Sequence, residues 1–189
     1  GDPAKFQPVD VHAELQVSKA LSMADTVKDT IKTRQIAILA EDGTDGDSLN
    51  TMKQALEAAG AKTKIIASHL GHINAGDGKA IKVDQSFLTA ASVLFDAVYV
   101  PGGTQSAASL KNLPDAVLFI NEAFKHCKAI AADGAGAEFL QITDAGKNIH
   151  TSGKADKGEE MNGVLINGSA KEFIKAIAQH RFWKREKPV

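Results

Sequence analysis

The chain predicts an α/β fold, a three-layer sandwich in which a mostly parallel sheet carries helices on both faces. Short apolar runs of strand length, such as Ile36 to Ala40, Ala97 to Val100 and Ala129 to Ala132, carry no helical punctuation. Segments with apolar residues at helical spacing separate them, and such alternation implies parallel strands joined by crossover helices. Glycine-rich or acidic loops follow the runs, where an open parallel sheet gathers its functional groups.

Taken in order, residues 1–33 read as a linker or docking arm. Pro3 and Pro8 interrupt its start, and Val11 to Ile31 is polar with scattered apolar residues, too little to bury a core. A domain over 34–189 follows. Gln35 to Ala40 is its first strand, and Glu41 to Asp47 a polar loop. Leu49, Met52, Leu56 and Ala59 recur at helical spacing, with Gly60 as the stop. Lys64 to Ala67 is a second strand. His69 to Val83 is an excursion with a small hairpin around Asp77-Gly78. Ala97 to Val100 is a core strand ended by Pro101-Gly102-Gly103, and residues 115–126 form an amphipathic helix through Ala116, Ile120, Ala123 and Phe124. The strand at 129–132 runs into Asp133-Gly134-Ala135-Gly136, a turn that opens a helix. Gly163 to Asn167 is a last strand, and Phe173, Ile174, Ile177 and Ala178 mark a C-terminal helix.

A length of 189 residues, 43% of them hydrophobic, fits one domain with a sizeable core plus an appended tail. A net charge of -1 gives no electrostatic case for nucleic acid or an anionic membrane. No apolar run approaches the roughly 18 residues a spanning helix needs. The lone cysteine, Cys127, rules out an internal disulfide framework and a cysteine-based zinc site. Gly1 in first place suggests a fragment or a processed product.

The turn at 133–136 has the form that holds a Ser or Cys nucleophile in enzymes built on this architecture, with backbone N–H groups placed for an oxyanion. Gly134 stands where the nucleophile would be. Ala40-Glu41-Asp42-Gly43-Thr44-Asp45, Val98 to Gly103 and Ala131 to Gly136 together resemble the three signature loops of the PfpI-like branch of the class I glutamine amidotransferase-like superfamily. The linker Ser18 to Met23, the loop Asp42 to Asp47 and the empty elbow at Gly134 narrow the resemblance to the C-terminal domain of large-subunit catalases. That resemblance implies a flavodoxin-like fold.

It also matches Asp45 to the acid that contacts the elbow cysteine in active relatives, with Glu41 and Asp47 as alternatives if the loop is shifted. With no thiol to activate, these acids are expected to cap a helix and shape the loop. His150 falls near the histidine of relatives with a Cys-His pair, and a base without a nucleophile has nothing to do. Both are expected as vestigial neighbours of a vacant site. His69 and His72 flank glycine in a loop, a poor metal site. Cys127 precedes its strand and so belongs at the opposite end of the sheet from the elbow. The glycine-rich turns lack a Gly-x-Gly-x-x-Gly or Gly-Lys-Ser/Thr pattern after the first strand, against nucleotide binding.

The expected function is that of a non-catalytic accessory domain with no cofactor of its own. Haem and hydrogen peroxide decomposition would belong to the parent catalase core. A haem core needs a proximal tyrosine and a distal histidine-asparagine pair, and Tyr99, the only tyrosine, falls inside a strand where packing is its simplest role. The expected partners are that core, the other subunits of a homotetramer, and partly unfolded client proteins held without ATP. The contrasting reading is a free-standing PfpI-like glyoxalase, deglycase or peptidase, which needs a thiolate at position 134.

Overall fold

A computed structural model of the protein describes residues 28–151 and 162–185, excluding the side chains of 148–151. The chain runs through β1 (Gln35–Leu39), α1 (Gly46–Ala58) and β2 (Lys62–Ala67), then the hairpin of β3 (Gly71–Asn74) and β4 (Ala80–Val83), then β5 (Gln85–Ser86). A short 3-10 turn at Ser92–Leu94 leads to β6 (Ala97–Val100), α2 (Thr104–Lys111), α3 (Pro114–Lys125) and β7 (Ala129–Ala132). The remainder is α4 (Ala135–Leu140), α5 (Asp144–Thr151), β8 (Val164–Ile166), α6 (Ala170–Ala178) and a last 3-10 turn at Trp183–Arg185.

Six strands form one sheet in the order β5-β2-β1-β6-β7-β8, every pair parallel. The register sets Ile38 between Ile65 and Tyr99, and Tyr99 beside Ala131. Alternation along β1 sends Ile36, Ile38 and Ala40 to one face and Ala37 and Leu39 to the other, and both sets are fully buried. Leu49, Met52 and Leu56 of α1 with Phe173 and Ile177 of α6 cover the first face. Ala107 and Leu110 of α2, Phe119 and Ile120 of α3 and Phe139 of α4 cover the second. Burial on both faces explains why these strands read as unbroken apolar runs.

Local chemistry sets the helix ends. Asp45 caps α1, Pro114 opens α3, where its missing N–H costs nothing, and Ser169 with Glu172 forms a capping box at α6. Two helices, α2 and α5, and the short strand β5 are elements that sequence periodicity did not reveal. Ile31 is buried in the first core and the Thr33 N–H donates to Gly60 O at 2.9 Å, so the chain joins the packed domain just before β1. The expected linker Ser18 to Met23 lies outside the described residues.

Candidate functional site

The loops after β1, β6 and β7 leave the carboxyl end of the sheet side by side. The Asp45 N–H and the Thr44 hydroxyl both donate to Gly102 O, at 2.8 and 3.3 Å. Gly103 permits this approach. Its φ is 114°, and a Cβ there would stand 2.4 Å from Gly43 O and 2.7 Å from Thr44 Cα. The β3–β4 hairpin braces the first loop from outside: the Gly43 N–H donates to Asn74 O (2.7 Å), the Gly76 N–H to Thr44 O (2.8 Å), and the Asn74 N–H to Asp42 Oδ1 (2.7 Å).

Gly134 forms the bend between β7 and α4 at φ 49°, ψ −128°. Its N–H donates to Asn167 Oδ1 at 2.7 Å, which anchors the bend to the chain leaving β8. A Cβ built on Gly134 would meet Gly102 Cα at 3.7 Å, ordinary van der Waals contact, and nothing nearer. The backbone therefore has the bend of a nucleophile elbow, with room for a side chain and no reactive atom.

The acids of the first loop serve the local backbone, although Asp45 Oδ2 lies 3.6 Å from where a Cβ on Gly102 would stand. Asp45 Oδ1 accepts from the N–H groups of Asp47 (3.1 Å) and Ser48 (3.0 Å), satisfying two orphan donors at the start of α1. Glu41 is buried and turns toward β2, where its carboxylate accepts from the Ser68 N–H (2.5 Å) and hydroxyl (3.0 Å), while its own N–H donates to Ser106 Oγ (2.9 Å). Asp47 is exposed in the first turn of α1. Neither Asp45 nor Glu41 comes within 4 Å of the Cβ position at 134.

The backbone of His150 belongs to α5, and its side chain lies outside the described residues. His69 and His72 are exposed, with His69 Nδ1 beside Ser68 Oγ at 3.1 Å. Among the described residues no group of three His, Cys, Asp or Glu could hold a metal ion. Cys127 is buried ahead of β7, across the length of the sheet from Gly134.

Sequence reasoning missed the polar network beneath the elbow. The Tyr99 hydroxyl donates to Asp133 Oδ2 at 2.6 Å, and Ser48 Oγ lies 2.7 Å from that hydroxyl and 3.4 Å from the carboxylate. The ring of Tyr99 still packs in the core, 6.3 Å from that of Phe173. Burial and then the hydrogen bond to Asp133 hold the phenol proton far above the ordinary tyrosine range. A tyrosine this buried and bonded has no hydroxyl to offer a haem iron. Tyr99, the chain's only tyrosine, is therefore unsuited to hold a haem.

A parallel sheet ending in these three loops defines a DJ-1/PfpI-like α/β protein. Oxidized DJ-1 of Toxoplasma gondii superposes with a TM-score of 0.58, covering 77% of this chain and 87% of that one at 13% identity. A two-domain protein of Anabaena variabilis with DJ-1/ThiJ/PfpI-like and ferritin-like domains gives 0.55, covering 57% of this chain and 31% of that one at 25% identity. Within this class, residues 32–187 match the family described as the C-terminal domain found in long catalases, and the chain belongs to that family. Catalase-2 of Bacillus subtilis is 39% identical over 175 residues, and catalase HPII of Mycobacterium avium 38% over 178, covering 91% and 89% of this chain. The chain spans only 24% and 25% of those two relatives' lengths.

Proposed function

We propose that this chain is a non-catalytic accessory domain of a large haem catalase, with peroxide decomposition carried out by the parent's haem core. Gly134 carries the reading. The bend that would present a nucleophile is kept and has space for one, yet its residue has nothing to attack with, and Cys127 sits at the far end of the sheet. The domain's role is then to hold the parent assembly together.

An exposed apolar surface supports that role and favours a second one. Val93 (74% exposed) and Leu118 (57%) line a groove of about 400 Å³ together with Phe87, Ala91 and Phe119. Separated from its assembly, such a surface would capture apolar segments of partly unfolded proteins reversibly, without ATP. Steady-state assays with hydrogen peroxide, methylglyoxal and a peptide panel test the first reading. No turnover is expected, and turnover of methylglyoxal or peptide would instead favour the free-standing enzyme. Light scattering of a heated client protein, with an inert protein of equal size as control, tests the second. Suppression that is lost in Leu118→Lys is expected, and equal scattering in both series would leave only the structural role.

A further inference from the structure

At the amino end of the sheet, opposite the elbow, a cleft of about 190 Å³ opens between the end of α3 and the last 3-10 turn. Val93, Lys125, His126, Cys127, Lys128, Arg181 and Trp183 line it, four of them basic and none acidic. Lys128 is only 2% exposed, and its Nζ donates to Ser92 O at 2.5 Å. The Arg181 Nη1 donates to His180 O at 2.8 Å. Among the described residues neither Lys128 nor Arg181 has a carboxylate within salt-bridge distance.

The nearby acids are committed. Asp96 pairs with Arg34 at 3.2 Å and accepts from the Gln35 N–H at 2.9 Å, while Glu122 pairs with Lys125 (3.8 Å) and His126 (3.4 Å). The negative end of α3 does not neutralise the cleft either. Its last carbonyls are taken by the N–H groups of His126, Cys127 and Lys128, and Arg185 reaches Phe124 O. Desolvation of Lys128 and then the repulsion of Arg181 lower its pKa to about 8, against the opposing pull of Asp96 and Glu122. A buried cation such as Lys128 calls for a partner, and half-buried Arg181 stands beside it at the mouth of the cleft.

We propose that this cleft binds a small multivalent oxyanion of the phosphate class, held by Lys128 and Arg181 against the indole of Trp183. The volume suits it, since a water molecule's share of the liquid is about 30 Å³. Nothing in the proposal draws on the vacant elbow or on the accessory role.

Trp183 is the chain's only tryptophan, so its emission reports the cleft directly. Inorganic phosphate, titrated into the 189-residue chain at constant ionic strength set with chloride, should change that emission saturably. It should also raise the thermal midpoint above that in chloride. Arg181→Gln and, separately, Lys128→Met should each weaken half-saturation tenfold or more, while Lys79→Gln, on the distant hairpin, should leave it unchanged. If one cleft variant fails to fold, the other decides. A linear response, a response equal to that in chloride, or affinity in both cleft variants unchanged from the native chain overturns the proposal.

Discussion

The Tyr99 hydroxyl reaches Asp133 Oδ2 at 2.6 Å, joining the end of β6 to the residue immediately before the elbow. Ser48, in the first turn of α1, completes the junction, so the three loops are tied through side chains as well as through Gly102 O. Tyr99→Phe should therefore lower unfolding free energy by about 1–3 kcal/mol, the cost of leaving a half-satisfied polar site in the interior. Urea unfolding measures it, and an unchanged midpoint would show that Ser48 alone satisfies Asp133.

The same bond gives the tyrosine an unusual titration. Burial and Asp133 raise its pKa above the ordinary value of 10.0, so the folded state keeps a proton that the unfolded chain gives up. Stability from this group is complete below pH 10 and falls as pH rises beyond it. Absorbance at 295 nm should show no tyrosinate until the protein unfolds in alkali. A smooth tyrosinate transition near pH 10 in the folded protein would contradict the buried hydroxyl.

Lys128 works in the opposite direction. Its folded pKa of about 8 lies below the ordinary 10.5, so between those values the unfolded chain binds more protons and stability rises with pH. The gain should be on the order of 1–3 kcal/mol, given 1.36 kcal/mol per pKa unit. Urea titrations at pH 8 and pH 9, below the onset of the tyrosine effect, should show the rise in the native sequence and its absence in Lys128→Met.

Restoring a side chain at the elbow should be sterically easy and conformationally costly. Gly134→Cys fits the free space, at a cost of about 1–3 kcal/mol for its positive φ. The new thiol should react with iodoacetamide well before buried Cys127, as read by mass spectrometry of the labelled peptides.

Gly103→Ala should behave differently, because its Cβ meets backbone rather than space. The first and second loops would have to part, at a cost of about 1–3 kcal/mol or more. A loss of thermal stability well beyond that of an exposed alanine substitution such as Gln54→Ala would bear this out.

Where burial on both faces produced a plain apolar run, as in β1, β6 and β7, the strands were legible in the sequence. Helix α2 was not, because Thr104 to Lys111 buries small or polar residues, Ser106 and Ala107, beside a single Leu110. The glycine at the elbow was legible as a missing nucleophile. The bond beneath it was not, since Tyr99 and Asp133 lie 34 residues apart and only the register joins them. Tyr99 faces Ala131 across β6 and β7, and a residue two further along β7's path returns to the same face. Lys128 drew no notice either, because a lysine before a strand reads as exposed until the surrounding elements close over it.

Both outer strands of the sheet are very short: β5 has two residues and β8 three. An edge strand that brief offers a neighbouring chain few open hydrogen-bonding groups to pair with. The broad surfaces of the domain are instead its helical faces and loops, where a single substitution changes a side chain without opening a strand edge to fibrillar growth.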